Sequence, residues 1–524
     1  MAAEVSFTKR AAAELSRRFN GLTVRRSAAS TLPPATTSTS GAPHGQPIPP
    51  APTTASAKVT SWVVEGVKRQ QQQGNSTRVI AQQQPKPPPN KQANRIAELV
   101  ANKPRTLDEL WLDPGFLATL FFYFPSLERT VLAQVSTVWR DVLYQPVFWS
   151  RVLPVLRCRE LRATSGDLSS TSELRKRVYS SLEKRGFPSL CLHGAGDDDV
   201  YDVVSNFPTP YVRQVRRLVL RCCNLTDKGH EVLLEFFHEV THLDMMGCNE
   251  VTDAGLWASL HPRMVTHLDM MGCNEVTDAG LWASLHPRMV HLTLADCINV
   301  ADESVAAIAQ LLPGLRELNL QAYHVTDAAL AFFGPQAGGS LQVLRLRSCW
   351  ELTNHGLLNL VHVLPNLTIL SLSGCSKITD DGVELLAENL RQLRLLDLSW
   401  CPRITDAALE YIACDLSLLE ELVLDRCVHV TDIGVGYLST MVNLRVLYLR
   451  WCTQIRDFGL QHLCAMRSLH VLSLAGCPLL TSSGLSSLVQ LRDLRELELT
   501  NCPGASEELF EYLREHLPLC TVIE

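Results

Sequence analysis

The sequence predicts an α/β solenoid of stacked strand-and-helix repeats, preceded by a small helical segment and a disordered N-terminal tail. A cysteine returns every 24 to 26 residues from residue 223 to residue 502, with a single interruption. Most of these cysteines close the phrase L-x-L-x-x-C, as in residues 396–401, and a Thr-Asp pair commonly follows, as at Thr405 and Asp406. A period of 20 to 29 residues with this phrase is typical of leucine-rich repeats, which stack into a horseshoe with a curved binding surface.

The spacing predicts about 12 cysteine-containing repeats in residues 213–524. Tyr323 is interpreted as the residue that fills the one vacant cysteine position. The cysteines are Cys223, Cys248, Cys273, Cys297, Cys349, Cys375, Cys401, Cys427, Cys452, Cys477 and Cys502.

Within each repeat we expect the two leucines to point inward and the residues between them to point outward, because side chains alternate along a strand. The cysteine is expected to turn inward, where a small thiol packs well. An evenly spaced line of buried thiols does not form the compact, open ligand set of a metal site, so neither a metal nor a cofactor is predicted. The Thr-Asp pair is expected to cap the outer helix.

Two neighbouring stretches, residues 241–265 and 266–290, are identical. The copied length is one repeat, so the stack can accept it without losing register. A recent duplication and an error of sequence assembly both explain the identity. Histidines before strands, as in residues 241–243, are interpreted as packed or edge residues.

Charge is divided unevenly along the chain. Residues 1–106 carry 15 Lys/Arg against four Asp/Glu, a balance of +11, and the whole chain carries −6, so the remainder carries −17. An acidic body argues against nucleic-acid binding. No apolar run reaches the ~18 residues of a membrane helix, so no membrane partner is predicted.

The N-terminus shows no apolar stretch of a secretory signal, and 17 cysteines without such a signal indicate reduced thiols. We therefore expect a cytoplasmic, and also nuclear, location. The Ala-, Ser- and Arg-rich start leaves a mitochondrial transit peptide as an alternative.

Four segments are predicted. Residues 1–95 form a disordered tail rich in Pro, Gln and Ser, in which residues 85–88 are either a polyproline-II ligand or a plain linker. Residues 107–155 form short helices, with Ser126 placed to cap the second. Residues 156–212 are a helical linker and cap of the solenoid, and residues 213–524 are the repeats.

Residues 134–140 (QVSTVWR) and 145–149 (QPVFW) resemble the second half of an F-box, and the repeats resemble those of F-box/LRR proteins. In that family a three-helix motif docks onto the Skp1 adaptor of cullin–RING ubiquitin ligases. The resemblance implies an adaptor-binding set that consists of Leu112, Leu117, Leu120, Trp139 and Trp149.

The first half of the segment departs from the family's opening Leu-Pro-x-Glu, because this chain reads Leu112-Asp113-Pro114-Gly115. Loss of the proline removes a residue that favours a helix start, and glycine adds backbone entropy. The added carboxylate would have to be desolvated at an apolar docking edge. We therefore expect weakened binding to Skp1 and cullin.

Outward positions of the later repeats carry Trp, Tyr and Arg, the residue types that dominate interface hot spots. These positions predict a groove for a client protein or peptide; a solvated face is the alternative. The partner-binding set is Arg345, Arg347, Asp397, Trp400, Asp425, Arg426, Tyr448, Arg450 and Trp451.

The predicted function is that of a non-enzymatic substrate-recognition subunit of a Skp1–cullin–F-box ubiquitin ligase. The alternative is a leucine-rich-repeat scaffold with a degenerate F-box that binds and regulates a partner enzyme. The sequence carries no phosphate-binding loop, no zinc motif and no convincing pairing of nucleophile and base, so an enzyme is not predicted.

Overall fold

The computed structural model describes residues 107–163, 168–260, 265–334 and 339–524. The predictions for residues 1–95 lie outside the described residues. The chain divides into two compact units, one that ends at Val155 and adds Lys184–Phe187, and one formed by Leu156–Glu183 and Pro188–Glu524. No helix in the described residues is long and apolar enough to cross a membrane.

The first unit is built from short helices around an aromatic core. Phe121 packs edge-on against Trp139 and against Phe148, with ring centroids 5.3 and 6.5 Å away. The Trp149 indole donates to the Leu143 carbonyl at 2.5 Å, which satisfies a polar group inside the core. The helices are α1 (Leu107–Leu110), α2 (Pro114–Phe121), α3 (Ser126–Leu132) and α4 (Thr137–Leu143), followed by a 3₁₀ turn (Pro146–Phe148).

The start of α2 corrects the expectation that residue 113 weakens the helix. Asp113 is the N-cap and accepts a hydrogen bond from the Gly115 N–H at 2.8 Å, and Pro114 is the first helical residue. A carboxylate cap and a proline with fixed φ are both favourable there. The predicted cap of α3 is wrong, because Ser126 is its first residue and Pro125, without a side-chain bond, is the N-cap.

The second unit holds a 15-stranded sheet whose strands follow one another in chain order. The pairs between β2 and β15 are parallel, and equivalent leucines stay in register, with Leu396 paired to Leu422 and Leu422 to Leu447. The prediction of a leucine-rich-repeat solenoid is confirmed. The strands are β1 (Val155–Arg157), β2 (Ser189–His193), β3 (Arg217–Arg221), β4 (His242–Asp244), β5 (His267–Asp269), β6 (His291–Ala295), β7 (Glu317–Gln321), β8 (Val343–Arg347), β9 (Ile369–Ser371), β10 (Leu395–Asp397), β11 (Glu421–Val423), β12 (Val446–Tyr448), β13 (Val471–Ser473), β14 (Glu496–Glu498) and β15 (Thr521–Ile523).

A helix follows most of these strands on the side away from the sheet. Neighbouring strands lie ~4.8 Å apart and packed helices ~8–10 Å apart, so the stack bends with its strands on the inner, concave face. The helices are α5 (Cys158–Ala163), α6 (Leu168–Arg185), α7 (Asp197–Asn206), α8 (Thr209–Val212), α9 (Asp227–Phe236), α10 (Asp253–Leu260), α11 (Asp278–Ser284), α12 (Asp302–Leu311), α13 (Asp327–Leu330), α14 (Asn354–Val363), α15 (Asp380–Asn389), α16 (Asp406–Asp415), α17 (Asp432–Leu438), α18 (Asp457–Leu463), α19 (Ser482–Ser486), with a 3₁₀ turn (Ser487–Gln490), and α20 (Glu507–His516).

The sheet begins before residue 213, the boundary that the sequence predicts. β2 already follows the repeat phrase, with Leu190 and Leu192 inside and Ala195 buried at the cysteine position. Alanine replaces cysteine there, so a count of cysteines overlooks this repeat. The two identical stretches each form one repeat, and β4 and β5 pair in register.

The cysteines form a ladder of hydrogen bonds inside the stack. The Cys401 thiol donates to the Leu372 carbonyl of the preceding repeat at 3.2 Å, and Cys427 donates to Leu398 at 3.2 Å. Burial raises the pKa of Cys401 to about 12, so the thiol keeps its proton at neutral pH and acts as a donor. These carbonyls also accept a backbone N–H within their own turn, as Leu372 does from Cys375 at 3.0 Å, so the thiol adds a second bond that joins neighbouring repeats.

The interruption of the ladder corrects the role assigned to Tyr323. Ala322, not Tyr323, is buried at the cysteine position, because this repeat has one residue fewer between strand and turn. Tyr323 is partly exposed and packs on Trp350, with ring centroids 4.7 Å apart.

The Thr-Asp pair links one repeat to the next. Thr405 is the N-cap of α16 and accepts from the Ala407 N–H at 3.3 Å, as predicted. Asp406 instead accepts from the Thr431 N–H at 2.8 Å and from the Thr431 hydroxyl at 2.6 Å, across to the following repeat. The same two-bond link joins Asp197 to Thr226, Asp227 to Thr252, Asp253 to Thr277, Asp302 to Thr326, Asp327 to Thr353, Asp380 to Thr405 and Asp457 to Thr481.

A glycine in the third helical position makes room for this link. At Gly434 an added Cβ would overlap the Asp406 carboxylate and lie 2.8 Å from Leu409 Cδ2. Two residues later, an added Cβ at Gly436 would lie 3.5 Å from its nearest neighbour, the His462 ring, which is ordinary contact.

The two glycines of α17 therefore form a matched pair of test positions. Gly434→Ala should lower the free energy of unfolding by about 1–3 kcal/mol, because it forces the Asp406 link apart. Gly436→Ala should raise it by about 0.5–1 kcal/mol through better helix propensity. Chemical denaturation of the full chain measures both, and equal effects of the two substitutions would contradict the account of the link.

Candidate protein-binding surface

The concave face ends, in most repeats, at a residue with left-handed backbone. The residue before each ladder cysteine has φ between +50° and +78°. Glycine adopts this conformation freely, whereas a residue with a Cβ is strained in it. These residues are Cys222, Gly247, Gly272, Asp296, Ser348, Gly374, Trp400, Arg426, Trp451, Gly476 and Asn501.

Three successive repeats place bulky side chains at this strained position. Trp400, Arg426 and Trp451 all have φ of +60°. The Arg426 guanidinium carbon lies 4.3 Å from the Trp400 ring centroid and 5.0 Å from that of Trp451, so the cation is sandwiched between two indoles. Trp400 remains 53% exposed and Trp451 40% exposed. We call these three residues the indole–arginine stack.

The stack revises the assignment of its members to outward strand positions. Strand β10 ends at Asp397 and β12 at Tyr448, so all three residues follow the strands and occupy the turns. The side chain of a left-handed residue points in a different direction from that of a strand residue. The turn geometry, rather than strand alternation, exposes them.

Asp425, Tyr448 and Arg450 form a cluster at the ends of β11 and β12, where Tyr448 is the last residue of β12 and the other two follow the strands. Arg450 contacts Glu498 at 2.8 Å and the Ser473 hydroxyl at 3.0 Å, and its backbone N–H donates to Asp425 at 2.9 Å. Its guanidinium carbon also lies 4.8 Å from the Tyr448 ring centroid. Burial raises the pKa of Asp425 to about 6, against the opposing attraction of Arg450. Arg450 therefore neutralises buried carboxylates in addition to facing the groove.

Two residues of the predicted partner-binding set do not face solvent. Asp397 is 8% exposed and accepts from the Ser371 hydroxyl at 2.7 Å and from the Ser399 N–H at 3.0 Å. Tyr448 is 5% exposed. The expectation of exposure is wrong at both: hydrogen bonds to neighbouring serines hold Asp397 inside, and the Arg450 guanidinium lies over the Tyr448 ring.

Arg345 and Arg347 lie on β8, earlier in the sheet. Arg345 is paired with Glu317, which also contacts Nδ1 of His291 at 2.8 Å. The hydrogen bond from His291, together with Arg345, lowers the pKa of Glu317 to about 2. Arg347 is half-buried, and burial lowers its pKa.

A stack of histidines on this face is missed by the sequence reasoning. The His242, His267 and His291 rings lie parallel, with centroids 3.9 and 4.1 Å apart. Burial and the neighbouring histidines lower the pKa of His267 to about 4, and burial lowers that of His242. The sequence carries a signal for this stack, because a histidine directly before a leucine recurs at the spacing of the repeats.

The histidine stack predicts a pH-dependent stability. Because the folded-state pKa of His267 lies below its ordinary value of 6.5, the unfolded chain binds more protons between pH 6.5 and 4. The stability that neutral His267 contributes above pH 6.5 is therefore lost as the pH falls from 6.5 towards 4. The pKa of Asp244, which burial raises to about 6, acts in the opposite direction.

A variant comparison isolates the histidines. The fall in thermal midpoint between pH 7.5 and pH 5 should be smaller in His242→Gln/His267→Gln than in the unchanged chain. His238→Gln, at an exposed position, is the matched control. An undiminished pH dependence in the double variant would contradict the assignment.

In the first unit, three of the five predicted adaptor-binding residues belong to the core. Leu117, Trp139 and Trp149 are buried and form part of the core of the unit rather than its surface. Leu112 is exposed and Leu120 is half-buried. Exposed apolar residues that the sequence reasoning left unassigned are Phe122, Tyr123, Leu127, Val131 and Val147. Leu127 and Val131 are four residues apart on α3 and share one face.

Metal binding finds no support in the described ranges, where no group of three or more His, Cys, Asp or Glu could hold an ion.

Comparison with known proteins concerns the repeats. A family model described as Leucine Rich repeat matches residues 239–258, 261–283, 363–387 and 389–413. Rad7 in its complex with Elc1 from yeast is similar with a TM-score of 0.42 and 18% identity, over 68% of this chain and 95% of that chain. An internalin, InlF, from Listeria monocytogenes is similar with a TM-score of 0.42 and 19% identity, over 68% of this chain and 94% of that chain.

Proposed function

We propose that this protein is a non-enzymatic recognition subunit, which holds a client protein on its concave face and an adaptor on its helical unit. The indole–arginine stack carries the first part of this proposal. Trp and Arg are the residue types that dominate binding energy at protein interfaces, and here they are exposed, rigidly packed and placed at one edge of a long open face. A solenoid offers such a surface rather than an enclosed pocket.

The proposed adaptor is Skp1, in a Skp1–cullin–F-box ubiquitin ligase. Support comes from the resemblance of residues 134–149 to an F-box and from the exposed face of α3, where Leu127 and Val131 are 54% and 55% exposed. Such apolar residues gain most when a partner covers them. We also propose a cytoplasmic or nuclear location, which the 17 free thiols support because such thiols suit a reducing compartment.

One observation favours a second function, that of a scaffold that binds and regulates an enzyme without assembling a ligase. Asp113 places a carboxylate at the start of α2, beside the exposed Leu112. An apolar partner would have to desolvate that charge.

Removal of both tryptophans of the stack tests the client face. Proximity labelling with Trp400→Ala/Trp451→Ala should lose a set of partners that the unchanged chain labels. Trp257→Ala/Trp282→Ala is the matched control, because those tryptophans are exposed on the outer helices α10 and α11. An identical set of partners in all three proteins would contradict the proposed face.

Binding of purified Skp1 by the full chain tests the adaptor. The ligase function predicts micromolar or tighter affinity, with a loss of about 10-fold or more in Leu127→Ser/Val131→Ser. Ile433→Ser, exposed on α17, is the control.

Asp113→Asn separates the two functions, because asparagine keeps the cap and removes the charge. Tighter Skp1 binding in this variant would show that the carboxylate weakens docking. Absence of Skp1 binding in both the unchanged chain and Asp113→Asn would exclude the ligase and leave the scaffold.

A further inference from the structure

We propose that Arg426, held between Trp400 and Trp451, is a carboxylate receptor that recognises an acidic segment of the client protein. The proposal rests on the proposed function and specifies the chemistry of the partner. It concerns a single side chain whose surroundings differ from those of the paired arginines on the same face.

The first observation is the missing counter-ion of Arg426. Arg221, Arg345 and Arg450 each pair with a carboxylate, which is Asp244, Glu317 and Glu498 respectively. Arg426 has no carboxylate partner in the described part of the chain and packs instead on two indoles.

The second observation is the orientation that the indoles impose. Tryptophan rings approach the guanidinium on both sides, at 4.3 and 5.0 Å, so its flat faces are occupied. Only the N–H groups at its edge are left to donate hydrogen bonds. A carboxylate accepts two parallel bonds from that edge, and the fixed orientation means that little side-chain freedom is lost on binding.

The third observation is that these three turns hold the largest side chains found at the left-handed position before a ladder cysteine. The equivalent residues on either side are Gly374 and Gly476, which adopt the left-handed conformation without strain. A Cβ at Gly476 would lie 2.5 Å from the Trp451 ring, so the small residue makes room for the indole. A strained residue persists only where the surrounding structure holds it in place. Such residues are found most often at functional sites, including binding sites.

Charge favours a carboxylate over a phosphate. Arg426 offers one unpaired positive charge, and the adjacent Arg450 is already neutralised by Asp425 and Glu498. A phosphate, with about two negative charges, would be left partly uncompensated beside those carboxylates. A glutamate or aspartate of a peptide matches the single cation, and the exposed indole edges can cover its apolar stem.

The test measures fluorescence anisotropy of a labelled octaglutamate peptide with the full chain at low salt. Octaglutamate should bind, and octaglutamine should bind at least about 10-fold more weakly, as expected for loss of charge-assisted hydrogen bonds. Arg426→Gln should weaken octaglutamate binding by a similar factor. Arg426→Lys, which keeps the charge and loses the planar fork, should also weaken it.

Arg467→Gln is the matched control, an exposed arginine before β13, and should leave the affinity unchanged. Equal binding of octaglutamate and octaglutamine, or of octaglutamate by the Arg426→Gln and unchanged chains, would overturn the proposal. Tighter, Arg426-dependent binding of a phosphoserine peptide would also overturn it in favour of phosphate.

The proposed function has a separate readout. If octaglutamate fails to bind while Trp400→Ala/Trp451→Ala still loses partners in proximity labelling, the carboxylate assignment is wrong and the client face stands. If the labelled partners do not change, the client face itself is wrong.

Discussion

The repeat stack depends on a carboxylate at the start of most of its helices, which accepts hydrogen bonds from the threonine of the next repeat. Asp406 accepts two hydrogen bonds from Thr431, and Gly434 leaves the space for its side chain. A link with two bonds fixes both the distance and the orientation of neighbouring repeats. The cysteine ladder adds a second constraint on the sheet side, where most of its thiols donate a hydrogen bond to a carbonyl of the repeat before.

The binding surface is a consequence of that register. Trp400, Arg426 and Trp451 are 25 to 26 residues apart in sequence, yet they contact one another because equivalent turns of successive repeats are adjacent. The links between successive repeats keep these three left-handed turns in register. Below the stack, Arg450 and its carboxylates keep the floor of the groove polar and paired. The protein thereby combines a regular interior with one local, non-repeated surface.

The sequence was sufficient to predict the period, the buried leucines and the solenoid, because these follow from spacing alone. It misplaced Tyr323, because the shortened turn puts Ala322 at the buried position, and a residue count alone cannot show which residue turns inward. It also overlooked the repeat that carries Ala195. Glycine before the cysteine in four repeats signals the left-handed turn, whereas no residue in the sequence signals how Trp400, Arg426 and Trp451 pack on one another there.

The same limit applies to the first unit. Short helices with apolar residues on several sides do not reveal which side is covered, so Leu117, Trp139 and Trp149 were assigned to an adaptor while the structure buries them in the core. Leu127 and Val131 can be recognised as exposed only when the packing of the aromatic core is known. Spacing therefore predicts the scaffold, whereas the surface depends on packing.

The most direct measurement is the NMR signal of the Arg426 Nε–Hε group in the full, deuterated chain, assigned by its loss in Arg426→Lys. Two indoles that cover the guanidinium should shift this Hε resonance strongly upfield by their ring currents. In the Trp400→Ala/Trp451→Ala variant, measured under the same conditions, the Arg426 Hε signal should return to the ordinary position of an arginine. An Arg426 signal at the ordinary position in the unchanged chain would contradict the stack, and with it the account of the binding surface.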